Sequence, residues 1–149
     1  MADIVPPDVR SRMMSGIRSK NTRPELAVRR EMHRRGFRYR LHAKELAGKP
    51  DIVLSRFRAV IFVHGCFWHG HSCFLFRMPS TSTGFWKDKI DQNRKNDANA
   101  VGALLASGWR VAIVWECALR GKKEAGVSLV ADALQRWLDT DDAKMEIFG

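Results

Sequence analysis

Residues 61–73, which read IFVHGCFWHGHSC, constrain the fold most strongly because they place metal-binding side chains directly after a predicted strand. The apolar run over residues 59–63 is rich in β-branched and aromatic side chains, which predicts a buried strand. The segment that follows holds three of the five histidines and two of the three cysteines in the chain. Thiolates and imidazoles clustered this closely, beside glycines that let the backbone bend, are typical of a zinc site.

The three cysteines are the first candidate zinc ligands. Cys66 and Cys73 lie in this segment, whereas Cys117 follows a second buried strand pattern over residues 109–115. If the two strands are neighbours, all three thiols meet at one end of the sheet. The alternative is three unrelated thiols, one of them in the core. A closed structural site needs a fourth ligand. Spacing alone leaves it open among His64, His69 and His71.

An odd number of cysteines cannot pair completely, and the sequence shows neither a secretory signal nor an apolar run long enough to cross a bilayer. In a reducing compartment, clustered cysteines more often bind metal than form disulfides. We therefore expect a cytoplasmic protein with no membrane partner.

The positive charge of the chain is concentrated in its first half. The formal net charge is +10, and residues 1–50 hold 13 basic against 5 acidic side chains, whereas residues 101–149 hold 6 against 7. Such asymmetry favours a polyanionic partner, with nucleic acid first. The alternative is a basic surface that only keeps the protein soluble.

Residues 1–21 predict a flexible basic arm. A short helix with Met13 and Met14 on one face would be marginal in water by itself and would become ordered on DNA. The alternative is a frayed terminus. The candidate phosphate contacts in the arm are Arg12, Arg18 and Lys20.

The remaining pattern predicts an α/β fold, a mixed β-sheet flanked by helices, within a single domain over residues 1–149. Thr22 is a predicted N-cap, and Glu25 completes a capping box. Predicted helices cover residues 22–35, 86–107 and 124–138, and predicted strands cover 37–41, 51–54, 59–63 and 109–115. The second and third strands are close enough in sequence to form an antiparallel hairpin.

Asp51 is a candidate ligand for a hard cation. It follows Pro50 and opens the predicted strand over residues 51–54. A carboxylate at a strand start can hold Mg²⁺, which polarises a phosphate, while a neighbouring imidazole deprotonates the attacking water. The alternative is a turn residue after proline.

Several motifs resemble those of the very short patch mismatch-repair DNA endonucleases, from about residue 8 to residue 138. The most specific is FVHGCFWHGH at residues 62–71. The other matches are GKPDIV at 48–53, WEC at 115–117, RMMSGI at 12–17, KNTRPE at 20–25 and FW at 85–86.

The resemblance implies a variant of the restriction-endonuclease-like fold that nicks one strand of duplex DNA. The nick lies 5′ to the thymine of a T·G mispair, which arises when 5-methylcytosine deaminates. The resemblance implies Asp51 as the direct Mg²⁺ ligand and His69 as the general base. It also implies that Glu25 and His64 hold metal-bound waters.

The same resemblance assigns structural Zn²⁺ to four ligands, Cys66, His71, Cys73 and Cys117. One departure concerns the strand after Asp51. Many restriction-type nucleases carry Glu-x-Lys there, whereas this chain has Val63-His64-Gly65. Without a lysine on this strand a histidine base is needed, and Val63 would bind Mg²⁺ through its backbone carbonyl.

Three aromatic residues are candidate wedges between base steps: Phe67, Trp68 and Trp86. Members of the family intercalate aromatics beside the mispair, and Met13 or Met14 would press from the opposite groove. The alternative is that the aromatics pack the zinc site or the core.

We expect a monomer that acts on mismatched double-stranded DNA near the bacterial nucleoid, with mismatch-repair proteins as candidate partners. Two other hypotheses compete. One is a zinc-stabilised DNA-binding module without catalysis, and the other is a small basic RNA-binding protein.

Overall fold

The computed structural model describes residues 22–71, 73, 77–120 and 123–148, and these contain a five-stranded sheet in the order β1-β2-β3-β4-β5. The first three strands are antiparallel, and β3, β4 and β5 are parallel. The strands are β1 (Arg40–Leu41), β2 (Ile52–Leu54), β3 (Ala59–His64), β4 (Arg110–Trp115) and β5 (Lys144–Ile147). The α-helices are α1 (Arg23–Arg34), α2 (Thr83–Ala106), α3 (Glu116–Arg120) and α4 (Lys123–Leu138).

The sheet is covered by helices on both faces, because successive side chains of a strand point to opposite sides. Val28 of α1 and Leu134 of α4 pack with Ile61 on one face. Leu104 of α2 packs with Val60 on the other face. The predicted α/β architecture is confirmed.

The two strand pairings that matter most for the site are as predicted. β2 and β3 form an antiparallel hairpin closed by a 3₁₀ turn (Ser55–Phe57). β3 and β4 lie side by side, and their register pairs His64 with Trp115. The ends of both strands therefore meet, which brings Cys117 at the start of α3 close to the segment that follows β3.

The start of α1 is also as predicted, since the Thr22 hydroxyl accepts a hydrogen bond from the Glu25 N–H at 3.3 Å.

The predicted strand over residues 37–41 is wrong in its first half, because only Arg40–Leu41 pairs with β2. The residues before it dock on α1 instead. The Phe37 N–H donates to the Met32 carbonyl, and the Tyr39 hydroxyl donates to the Arg29 carbonyl.

Three further elements differ from the prediction. α2 begins at Thr83, before the predicted start at residue 86, and α3 and β5 were not predicted. β5 alternates between exposed and half-buried side chains, so it lacks the apolar run of a central strand. The predicted basic arm lies outside the described residues, and none of the described helices is long and apolar enough to span a membrane.

Candidate active site

Asp51 lines a cavity of about 460 Å³ between the β2–β3 hairpin and α2. Its Oδ2 accepts a hydrogen bond from the Val63 N–H at 2.7 Å, which fixes the carboxylate against β3. Gly48 allows the preceding loop to approach α2, because its φ is +74° and an added Cβ would lie 2.6 Å from the Ala100 Cβ. Four of the predicted site residues line this cavity: Asp51, Val63, His64 and His69.

The Asp51 side chain is half-buried, and that of its neighbour Glu25 is fully buried. Burial raises the pKa of Asp51 to about 7, the N–H of Val63 opposes the rise, and the nearby Glu25 carboxylate adds to it. Two carboxylates held together out of water favour either a shared proton or a bound cation. The oxygen donors here suit a hard divalent ion such as Mg²⁺.

Glu25 reaches this region from α1 and is buried, with 1% of its surface exposed. Its Oε2 accepts from Arg29 at 2.9 Å and lies 2.7 Å from the His42 Nε2. His42 follows β1, and its N–H donates to the Asp51 carbonyl. One ligand atom from each of Glu25, His42 and Asp51 lies within 4.8 Å of the other two. His42 was missed from the sequence, and only the pairing of β1 with β2 would have revealed its position.

His69 forms a close pair with Asp97 of α2, since its Nδ1 lies 2.5 Å from the Asp97 Oδ2. A ring that donates from Nδ1 to a carboxylate keeps the lone pair on Nε2, and the carboxylate stabilises the charged ring after proton uptake. Asp97 was not predicted from the sequence. α2 contains several charged residues, and the sequence pattern does not distinguish Asp97 from those that face solvent.

His64 stacks on His69 with ring centroids 3.9 Å apart and planes 5° from parallel. Burial lowers the pKa of His64 to about 3; a proton on the stacked His69 ring would lower it further, whereas the Asp97 carboxylate opposes the fall. His64 is therefore neutral at physiological pH. Its Nδ1 is buried without a hydrogen-bond partner among the described residues.

The four predicted zinc ligands are brought together beside this cavity. One ligand atom from each of Cys66, His71, Cys73 and Cys117 lies within 4.8 Å of the others. Cys117 Sγ lies 3.5 Å from His71 Nδ1, and the Cys117 N–H donates to Cys66 Sγ at 3.3 Å. Among the histidines that spacing left open, His71 joins the thiols, whereas His64 and His69 lie beside Asp97.

The donor set of this cluster fits a metal ion. Burial raises the pKa of the Cys66 thiol well above its ordinary value, so a thiolate there requires a neighbouring positive charge. The ring of His71 stacks on Trp115 with centroids 4.2 Å apart, and the Trp115 Nε1–H donates to the Glu146 carboxylate of β5 at 2.5 Å. Glu146 of β5 thus holds the Trp115 ring on which the His71 imidazole stacks.

The loop between β3 and the cluster is anchored to α2. The Asn93 side chain donates to the Trp68 carbonyl at 2.8 Å, and Arg94 donates to the Gly70 carbonyl. Gly70 has φ +64°, and an added Cβ would lie 2.6 Å from atoms of both Ile90 and Arg94. α2 therefore fixes the loop that carries His69.

The three candidate wedge residues form one half-buried cluster. The ring centroids of Phe67, Trp68 and Trp86 lie 5.2–5.5 Å apart in edge-to-face contacts. They pack on one another beside the loop that carries His69. The arm residues Arg12, Met13, Met14, Arg18 and Lys20 lie outside the described residues.

Comparison with known proteins agrees with the resemblance seen in the sequence. A family model described as DNA mismatch endonuclease Vsr matches residues 2–75. The DNA mismatch endonuclease Vsr of Escherichia coli is 39% identical over 147 residues, which cover 99% of this chain and 94% of that protein.

Nicking enzymes are similar as well. The type II nicking enzyme V.XorIIP of Xanthomonas oryzae is 48% identical over 134 residues, which cover 89% of this chain and 98% of the relative. The type II nicking enzyme V.NmeAIP of Neisseria meningitidis is 46% identical over 122 residues, which cover 82% of this chain and 87% of that relative. The prediction of a restriction-endonuclease-like nuclease is confirmed. This chain belongs to the Vsr family of DNA mismatch endonucleases.

Proposed function

We propose that this protein nicks one strand of duplex DNA 5′ to the thymine of a T·G mispair, in a Mg²⁺-dependent hydrolysis. The observation that carries the proposal is the convergence of Asp51 and the His69–Asp97 pair on one cavity. A non-catalytic DNA-binding module would have no need for a buried carboxylate beside an oriented imidazole.

Asp51 and the backbone carbonyl of Val63 are the proposed Mg²⁺ ligands. The hydrogen bond from the Val63 N–H to Asp51 supports this pairing, because it holds both residues at the same point of the hairpin. Bound Mg²⁺ would polarise the scissile phosphate and stabilise the leaving oxygen. Glu25 and His64 are proposed to hold the waters around this site, and both are buried on its border.

His69 is the proposed general base. The attacking water would give its proton to Nε2, while Asp97 holds the ring through Nδ1 and stabilises the imidazolium that forms. The stacked His64 ring stays neutral and therefore places no second positive charge against His69.

Zn²⁺ is the proposed structural ion at Cys66, His71, Cys73 and Cys117. Two of these thiols are buried, and the cluster joins the loop after β3 to the start of α3. Zinc binding in such sites contributes folding free energy. The ion would therefore stiffen the loop that carries both His69 and the aromatic cluster.

DNA recognition is assigned to two regions. The basic arm, through Arg12, Arg18 and Lys20, would neutralise phosphates. Phe67, Trp68 and Trp86 would wedge beside the mispair, aided by Met14 from the opposite groove, because mispaired steps stack more weakly and deform more easily. We expect a monomer in the bacterial cytoplasm near the nucleoid, with mismatch-repair proteins as further partners.

A nicking assay tests the proposal. Labelled duplexes that differ only in one T·G or T·A pair are incubated with zinc-loaded protein, with Mg²⁺ or with EDTA. We expect a nick only in the T·G duplex with Mg²⁺, and none with Asp51→Asn. Tight binding to mismatched duplexes without any nick would support the non-catalytic DNA-binding module instead.

A further inference from the structure

His42 belongs to none of the roles assigned above, yet it lies at the proposed metal site. Its Nε2 is 2.7 Å from Glu25 Oε2, and its backbone N–H donates to the Asp51 carbonyl. It lines the same cavity as Asp51, and 19% of its side chain is exposed. The His42 ring is thus held at the Glu25 carboxylate, and the His42 backbone is held at the main-chain carbonyl of Asp51.

We propose that His42 is a direct nitrogen ligand, which turns the Asp51–Glu25 carboxylate pair into a mixed nitrogen–oxygen site for a divalent transition-metal ion such as Mn²⁺. This inference rests on the proposed role of Asp51 as a metal ligand. His42 would add a nitrogen donor to this site, which would then bind divalent ions other than Mg²⁺.

The separation of the donor atoms suits one ion. A ligand atom from each of Glu25, His42 and Asp51 lies within 4.8 Å of the other two. First-row ions hold nitrogen and oxygen ligands at about 2.0–2.2 Å, so two donors on one ion lie at most about 4.4 Å apart. A shift of a few tenths of an ångström brings the three side chains to that geometry.

Charge neutralisation of Glu25 does not require His42. Arg29 already places a permanent positive charge 2.9 Å from Glu25 Oε2. The contact between His42 and Glu25 therefore does not need a charged ring, and an imidazole that donates from one ring nitrogen to Glu25 keeps a lone pair for a metal on the other nitrogen. Imidazole is a ligand of first-row transition metals, whereas Mg²⁺ is bound through oxygen ligands, so His42 would shift the preference of the site from Mg²⁺ toward transition metals, of which Mn²⁺ is the ion most like Mg²⁺ in its use of carboxylate ligands.

The backbone at His42 supports a functional placement. Its φ is +49°, a left-handed conformation that is uncommon for residues other than glycine, and the same hairpin end contains Lys49 with φ +50°. Residues held in such conformations cluster at functional sites.

Pulsed electron paramagnetic resonance tests the proposal directly. Zinc-loaded protein is titrated with Mn²⁺, and nitrogen modulation of the Mn²⁺ signal is recorded for wild type, His42→Gln and His33→Gln. His33 is an exposed histidine of α1, so its substitution is a matched control.

We expect histidine nitrogen modulation in the wild type and in His33→Gln, and its loss in His42→Gln. The Mn²⁺ affinity of His42→Gln should fall by more than roughly 100-fold, because loss of a direct ligand should exceed the 10–100-fold range typical of the loss of an outer-shell partner. Mg²⁺ affinity, measured by competition, should change less than about threefold. Circular dichroism confirms that the variant is folded.

Two results would overturn the inference: no nitrogen modulation in the wild type, which needs no variant to fold, or modulation that persists in His42→Gln. Either result would leave His42 as a hydrogen-bond partner of Glu25 only. Failure of the proposed function is distinguishable, because it would show as absent nicking of the T·G duplex whatever the nitrogen signal.

Discussion

Replacement of Asp51 by asparagine should stabilise the protein when no divalent ion occupies the cavity. Burial and the neighbouring Glu25 raise the pKa of Asp51 from 3.8 to about 7 in the folded state. A folded-state pKa above the unfolded value means that the folded protein binds the proton more tightly. Stability is therefore lost as the pH rises from about 4 to about 7, and no more is lost above that window.

The size of this effect follows from the same pKa difference. At 1.36 kcal/mol per pKa unit, the ionised carboxylate costs about 4 kcal/mol of unfolding free energy at pH 8. Asparagine has the same shape and keeps an oxygen for the Val63 N–H, but it carries no charge. Because a buried amide retains part of the desolvation cost, we expect a gain of about 2–4 kcal/mol at pH 8.

Urea denaturation of zinc-loaded protein in buffers free of other divalent ions measures this gain. The advantage of Asp51→Asn should shrink toward zero as the pH falls below 3.8, where Asp51 becomes protonated in the unfolded as well as the folded state. Addition of Mg²⁺ should stabilise the wild type more than the variant, since only the wild type keeps the Asp51 carboxylate that we propose as a ligand. An Asp51→Asn protein that is equally stable or less stable than the wild type at pH 8 would refute the reasoning.

Four further predictions concern the other parts of the site. His69→Gln should slow single-turnover nicking roughly 10²–10⁴-fold. Asp97→Asn should also slow nicking, while the zinc content stays unchanged. Full activity of either variant would contradict the role of His69 as the general base. His71→Ala should lose zinc and thermal stability together by metal analysis and calorimetry, and His69→Gln should keep both, so the opposite pattern would reverse the assignment. Trp68→Ala should weaken mismatch binding by ~1–3 kcal/mol in a fluorescence titration. Its melting temperature should change little, because Asn93 anchors the loop through the Trp68 backbone carbonyl. Unchanged discrimination between mismatched and matched duplexes would exclude Trp68 as a wedge. Deletion of residues 1–18 should lower DNA affinity and flatten its salt dependence, and an unchanged slope would exclude phosphate contacts by the arm.

The sequence predicted the parts of the site that depend on residue type and strand order. Cysteines and histidines this close together after a strand are typical metal ligands, so a candidate metal-binding cluster followed from their identity. The meeting of Cys117 with Cys66 followed from the adjacency of two apolar strands. Spacing could not select His71 over His69, because that choice depends on how α2 holds the loop.

The parts that were missed depend on tertiary contacts alone. Asp97 is selected from the charged face of α2 only because the loop after β3 brings His69 to it. His42 reaches Glu25 because β1 is short and the chain turns in a left-handed conformation after it. β5 lacks an apolar run, so its pairing with β4 and the support of Trp115 by Glu146 were not readable from periodicity.

The central claim is that this site cuts one defined strand at a mispair, and strand-resolved product mapping tests it most directly. A T·G duplex carries a different fluorophore on each strand and is incubated with zinc-loaded protein and Mg²⁺, beside a matched T·A duplex. We predict a single product from the thymine strand, cut immediately 5′ to the mispaired thymine, and no product from the guanine strand or the matched duplex. Cleavage of both strands, or equal cleavage of the matched duplex, would contradict the proposed function.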